Sequence, residues 1–100
     1  GVSAHPHRFG GTEYVVGARR EIGHVHGDHL VDIPFTPTVR DEVVASGRAE
    51  PHHILPDSGW VSFYLHEAGD VERVIALFRL SYELAMKQQA KRAATSENRG

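Results

Sequence analysis

Histidine and aspartate are concentrated in one short segment of the chain, IGHVHGDHLVDIPF at positions 22–35. Within it, HVHGDH at 24–29 follows the spacing H-x-H-x-D-H. Neutral imidazoles and carboxylates are ligands that zinc and nickel accept, so a metal site is one interpretation of this spacing. The alternative is a set of histidines on a strand and its turn that bind no metal.

The same spacing is used by metallo-β-lactamase-type hydrolases to hold a pair of metal ions. In those enzymes the motif lies in a loop of a much larger αββα fold, and further ligands come from distant segments. A chain of 100 residues is too short for that fold. Here the pattern is that of a strand end followed by a hairpin turn, which argues against this enzyme class.

The composition indicates one soluble, intracellular domain. Eleven basic and 13 acidic residues give a formal charge of −2, without the basic excess typical of nucleic-acid binding. There is no cysteine, and therefore neither a disulfide framework nor thiol chemistry. No apolar run approaches the length of a membrane span, and no signal peptide is apparent. We expect a cytoplasmic domain without a membrane partner.

The first third of the chain is rich in β-branched residues and predicts three strands, with a turn at Gly27–Asp28. Side chains alternate along a strand, so Ile22, His24 and His26 are expected on one side of the second strand. The predicted strands are TEYVVG (12–17), REIGHVHG (20–27) and HLVDIPF (29–35).

A helix is predicted next, because Thr36 suits the N-cap, Pro37 suits the first helical position and Gly47 suits the end. Two short strands, AEPHHIL (49–55) and WVSFYLHE (60–67), then flank the turn sequence PDSG.

With PDSG as the turn of this hairpin, Ile54 is expected opposite Val61 and in the core, and His53 opposite Ser62. A second, longer helix is predicted from Asp70, since apolar residues recur at helical spacing as far as Ala85.

The predicted fold class is α+β with two layers: a mainly antiparallel five-stranded sheet and helices on one face. The expected order is three strands, a helix, two strands and a helix. We expect a single domain over 8–90, an N-terminal loop over 1–7 and a flexible C-terminal tail over 91–100.

Four segments cover most of the chain: HPHRFGG, REIGHVHGDHLVDIPF, VRDEVVASGRAEPHHILPDSGWVSFYL and DVERVIALFRLSYELA. Together they resemble a small bacterial family described as a luciferase domain family. The resemblance covers roughly residues 5–86 and implies no established catalytic residues. Flavin-dependent bacterial luciferases resemble barrels of about 250 residues, which this chain cannot form, and no glycine-rich phosphate loop is visible. No true luciferase activity is therefore expected.

A second resemblance is to the MmcQ/YjbR group, whose members also end in a histidine-containing hairpin, a tryptophan-led strand and a helix. It implies a YjbR-like two-layer fold. The group is often described as DNA-binding, but this chain lacks the basic surplus which that activity would need. The corresponding segments are PHHIL, GWVSFYL and LSYELA.

The helix-free face of the sheet is the predicted functional surface. If Val25 faces the helices, His24 and His26 point to the open side, and the hairpin register adds His53. Exposed aromatic patches of this kind mark ligand or partner surfaces. The expected residues of this face are His24, His26, His53, Trp60, Ser62 and Tyr64.

We therefore expect a non-catalytic binding or interaction module whose partner is a protein, a small ligand or a second copy of the chain. The alternative is a small metal-dependent enzyme or metal-binding protein in which His24, His26 and His53 bind zinc or nickel. Otherwise no cofactor is expected. Nucleic acid ranks third as a partner, because the charge balance disfavours it.

Two further sets of residues are expected to carry no chemistry. Ser58 in PDSG has a turn composition, and no G-x-S-x-G motif surrounds it. Four carboxylates form no recognisable pair and are expected on solvated faces: Glu13, Glu21, Asp32 and Glu67.

Overall fold

A computed structural model describes residues 2–7, 11–17 and 20–98 of the chain, and side chains as far as residue 93. The elements are β1 (Val2–Pro6), β2 (Thr12–Val16), β3 (Arg20–His26), β4 (Leu30–Pro34), α1 (Pro37–Ala45), β5 (Glu50–Pro51), β6 (Trp60–Tyr64) and α2 (Gly69–Asn98).

The described strands form one sheet in the order β1-β2-β3-β4-β6-β5, and every neighbouring pair is antiparallel. The predicted α+β class and antiparallel sheet are confirmed, but the sheet has six strands rather than five. The additional strand is β1, Val2–Pro6, which lies within the predicted loop over 1–7. It pairs with β2 from Val2 opposite Val16 to Pro6 opposite Thr12, and its place at the sheet edge tolerates a proline.

The predicted hairpin register around PDSG is wrong. β5 contains only two residues, and Glu50, not His53, lies opposite Ser62. Pro51 ends the ladder because it has no N–H to donate. The chain then continues as a loop, and Ile54 is 71% exposed instead of lying in the core.

A β-bulge in β3 corrects a second expectation. Tyr14 pairs with Gly23 but Val15 pairs with Glu21, which leaves Ile22 as an extra residue. Ile22 therefore packs in the helix-side core instead of sharing a face with His24. A bulge of this kind breaks the period-two pattern on which the prediction relied.

Both helices cover the same face of the sheet, because α1 and α2 contribute to one apolar cluster with β4 and β6. Phe78 lies partly buried between this cluster and a second one. Its ring passes so close to Gly23 that a Cβ there would come within 2.5 Å of it. The main cluster consists of Val31, Ile33, Phe35, Val43, Val61, Phe63, Val74 and Leu77.

The helix boundaries follow partly from the sequence. Thr36 caps α1 by accepting the backbone N–H of Val39 at 3.3 Å, with Pro37 in the first turn. α2 continues to Asn98, so the predicted flexible tail is helical over most of its length. Among the described helices, none combines the length and the apolar content needed to cross a bilayer.

Candidate metal centre

Asp32 lies at the centre of the helix-free face and is only 1% exposed. It occupies the middle of β4, where Val31 and Ile33 on either side point into the helix-side core. The strand register places Asp32 between His24 on β3 and Ser62 on β6. The expectation that Asp32 is solvated is wrong, since neighbouring strands and a loop cover it.

Four imidazole rings converge on one oxygen of this carboxylate. Two come from β3, at alternate positions that project to the same face, and two come from the loop after β5. The distance from the ring Nε2 to Asp32 Oδ2 is 3.1 Å for His26, 3.1 Å for His53, 3.2 Å for His24 and 3.3 Å for His52.

Ser62 fixes the other oxygen of Asp32. The backbone N–H of His53 donates to Ser62 Oγ at 3.2 Å, so the hydroxyl accepts there. The hydroxyl in turn donates to Asp32 Oδ1 at 2.8 Å. This chain of two hydrogen bonds holds the loop against the sheet and leaves Oδ2 facing the imidazoles.

The tautomer of His52 follows from its backbone contacts. Its Nδ1 accepts the backbone N–H groups of Ile54 and Leu55, at 3.2 and 3.0 Å. The proton of the neutral ring must therefore be on Nε2, directed at Asp32. Burial lowers the pKa of His52, and this outweighs the attraction of Asp32 and keeps the ring neutral. His52 is thus a hydrogen-bond donor that orients the carboxylate.

His24 lies between two carboxylates. Its Nδ1 is 2.7 Å from Glu21 Oε2, and its Nε2 faces Asp32. Burial alone would lower the pKa of His24, but hydrogen bonds and charge attraction from Asp32 and Glu21 raise it to about 9. The β3 bulge makes this possible, because it brings Glu21 to the face of His24 despite their odd spacing.

Asp32 remains ionised in this setting. Burial would raise its pKa, but hydrogen bonds from His24, Ser62 and His53 outweigh burial and hold that pKa well below its usual range. The centre therefore offers a fixed carboxylate and a group of imidazoles, the ligand types that divalent transition metals prefer.

Hydrogen bonding alone does not account for the convergence. A carboxylate oxygen has about two lone pairs to offer, whereas four ring nitrogens lie within 3.3 Å of Asp32 Oδ2. Ligands of one tetrahedral ion with bonds of about 2.0–2.1 Å are separated by roughly 3.3 Å. Two triads each keep their donor atoms within 4.8 Å of one another, and they share only Asp32: His24–His26–Asp32 and Asp32–His52–His53. An ion bound by His24, His26 and His53 together would therefore have to draw the two triads closer.

An open cleft of about 700 Å³ adjoins these groups. The Trp60 ring forms one wall, with its centroid 5.2 Å from the His24 ring. Ile54 and Leu55, which are 71% and 54% exposed, line the rim. A small molecule could therefore reach the imidazoles from solvent.

Three residues proposed from the sequence take no part in the cluster. Asp28 and His29 of the H-x-H-x-D-H motif are exposed and contact each other at 3.3 Å. Tyr64 points to the same face but stacks with His66 at the far end of β6. The motif thus contributes only His24 and His26.

Sequence reasoning missed three contributors. Asp32 had a usable signal, since a carboxylate between two core residues of a predicted strand must face the opposite side. Glu21 depends on the bulge, and His52 depends on a loop conformation, so neither had a periodic signal.

Comparison with known proteins identifies one relationship. A family model described as "Luciferase domain" matches residues 19–81, a segment that includes all four imidazoles and Asp32. No curated protein and no solved structure matches the chain. The resemblance to the MmcQ/YjbR group and its strand order is not confirmed.

Proposed function

The chain belongs to the Luciferase domain family, and we propose that this domain binds one divalent transition-metal ion on the helix-free face of its sheet. The bound ion would act on a small molecule held in the adjoining cleft. The proposed ligands are Nε2 of His24, His26 and His53 and Oδ2 of Asp32.

The observation that carries this proposal is the crowding of ring nitrogens around one ionised oxygen. A cation bound between the rings and the carboxylate would relieve that crowding. Each ring would then direct a lone pair at the ion instead of donating an N–H to the same oxygen. His24 would give up one proton on metal binding, while its Nδ1–H still donates to Glu21. An imidazole held by a carboxylate in this way is the usual support of a metal ligand.

Zinc and nickel suit this set of ligands, since both accept neutral imidazole together with a carboxylate. His52 would stay outside the ligand set because its Nδ1 accepts two backbone N–H groups. Its Nε2–H would instead orient Asp32.

The open cleft favours a metal that acts on a ligand over a purely structural one. The four proposed ligands fill a tetrahedral shell, so a molecule in the cleft would bind as a fifth ligand, an expansion that catalytic zinc sites undergo. Here the cleft reaches His26 and His53, whose side chains are each 30% exposed. The non-catalytic interaction surface expected from the sequence would use this same face without needing an ion.

The experiment is a zinc and nickel titration of chelator-treated protein by calorimetry, with wild type beside Asp32→Asn. Wild type should bind with a dissociation constant at or below the micromolar range, and the variant at least about 100-fold more weakly. His29→Ala is the matched control, because His29 lies in the same motif but outside the cluster.

Cobalt loading then tests whether a coordination position is open. Addition of azide to the cobalt protein should change its visible spectrum if the position is accessible. An unchanged spectrum would remove the enzymatic part of the proposal. Equal metal affinity in wild type and Asp32→Asn would remove the metal site itself and leave a plain binding surface.

A further inference from the structure

Two further donors lie next to His24: Glu21 faces its Nδ1, on the side away from Asp32, and the His7 ring stacks on its face. The donor atoms of His7, Glu21 and His24 all lie within 4.8 Å of one another. His24 is thus common to two groups, with Nε2 facing Asp32 and Nδ1 facing Glu21. An imidazole has two nitrogens, and this ring presents one to each group.

We propose that the centre takes a second divalent cation, bound by His7 and Glu21 and joined to the first ion through the ring of His24. This inference rests on the proposed function, because the bridge requires an ion at the Asp32 side. The second ion would replace the Nδ1 proton of His24, which leaves to solvent, and no electron transfer is involved. Glu21 would change from a hydrogen-bond acceptor into a metal ligand.

The fold supports this position of the donors. The bulge in β3 carries Glu21 to the face of His24, and its side chain is 22% exposed, so it is shielded but reachable. His7 follows β1 and its backbone N–H donates to the carbonyl of Gly11 at 3.1 Å. This contact holds the His7 ring stacked on His24, with ring centroids 4.2 Å apart. The His7 ring would have to rotate about its side-chain bonds to direct a nitrogen at an ion on His24 Nδ1.

Charge also favours a second cation. Glu13 pairs with His24 across β2 and β3, and it lines the cleft together with Glu21. With Asp32, three carboxylates therefore surround the histidines, and one divalent ion would leave this group with an excess of negative charge. The charge of the first ion also assists loss of the remaining proton from the His24 ring.

Copper(II) allows the bridge to be tested by electron paramagnetic resonance. The first equivalent added to metal-free wild type should give the signal of an isolated copper ion. A second equivalent joined through one imidazole should couple to the first, so that the signal falls as the second equivalent binds. Metal content measured on the same samples gives the number of bound ions.

Two variants separate the second site from the first. His7→Ala and Glu21→Gln should each bind one equivalent and retain the isolated-ion signal when more copper is added. The amide of Glu21→Gln can still accept the Nδ1–H of His24 but is a poor metal ligand. His5→Ala is the matched control, since His5 is an exposed histidine of β1 that contacts Ser3.

The outcomes distinguish the two proposals. Two bound ions with a diminished signal, lost in both variants, would support the bridge. One bound ion in wild type, or a second ion whose signal simply adds to the first, would overturn the bridge and leave the single metal site intact. Wild type that binds no copper would overturn both.

Discussion

The two faces of the sheet are built from the same strands but are stabilised by different forces. On the helix side, alternate residues of β4 and β6 pack with α1 and α2 into a continuous apolar cluster. On the other side, the intervening residues place Asp32 and Ser62 in a buried polar row with His24. Burial of apolar surface stabilises the first face, whereas the second depends on every polar group having a partner.

Under the proposed function, this difference would place the apolar core and the binding site on opposite faces of the same sheet. The residues of the apolar face could be exchanged for others of similar volume. The polar face holds a carboxylate that stays charged while almost completely buried. A charge buried without need is costly, which is why we assign function to that face.

The largest effect on stability is expected on the apolar face. Leu77 is 1% exposed and lies in the main cluster, so Leu77→Ala should lower the free energy of unfolding by about 2–5 kcal/mol. Urea denaturation measures this change. Metal affinity of the folded variant should equal that of wild type; a parallel loss of affinity would mean that the two faces are not separable.

On the polar face, the main effect should appear only with metal present. Zinc at 100 times its dissociation constant should stabilise wild type by about 2.7 kcal/mol. His26→Ala and His53→Ala should lose most of this gain, while His66→Ala, which lies outside the cluster, should keep it. Thermal denaturation with and without zinc measures the difference, and equal gains in all four proteins would contradict the ligand assignment.

The pH dependence of the stability of the metal-free protein tests whether His24 is charged in the folded state. A histidine whose folded pKa is raised stabilises the fold below its unfolded pKa of about 6.5. That contribution disappears as the pH rises through about 9, the folded pKa of His24. The stability difference between wild type and His24→Gln should therefore be largest below pH 6.5 and should shrink towards pH 9.

His52, whose folded pKa is lowered mainly by burial, is present in both proteins, so the part of its effect that is due to burial cancels in this comparison. The part that is due to the charge of His24 is lost in His24→Gln. Urea denaturation in chelator across pH 6–9.5 measures the difference. A difference that stays constant or grows with pH would show that His24 is not held charged between the two carboxylates.

Much of the apolar face could be predicted from the sequence, because it depends on local periodicity. The strands of Val31, Val61 and Phe63 and the helix of Leu77 all follow from recurring apolar residues. On the polar face, the same alternation predicted the side of His24 and His26. It could also have identified Asp32, which lies between two core residues.

The remainder of the site depends on features without a periodic signal. Glu21 reaches His24 only because of a bulge, and His52 reaches Asp32 only from a loop fixed by its own backbone contacts. The position of β6 beside β4 is a long-range pairing across α1 and β5. His53 came to the expected face, although the hairpin register used to place it is wrong.

The smallest effect on the free energy of unfolding is expected at Ile54, which the incorrect hairpin register placed in the core. Ile54 is 71% exposed, so Ile54→Ser should change the free energy of unfolding by no more than about 0.5 kcal/mol. Val61→Ser is the matched comparison, because Val61 is fully buried and should cost several times as much. A large loss for Ile54→Ser would restore the hairpin predicted from the sequence.

The central claim is that His24, His26, His53 and Asp32 bind the same ion, and X-ray absorption at the zinc edge tests it most directly. Wild type loaded with one equivalent of zinc should show three imidazole nitrogens at about 2.0–2.1 Å together with oxygen. His26→Ala should show one imidazole fewer. A spectrum with no imidazole, or one that is identical in wild type and His26→Ala, would contradict the account.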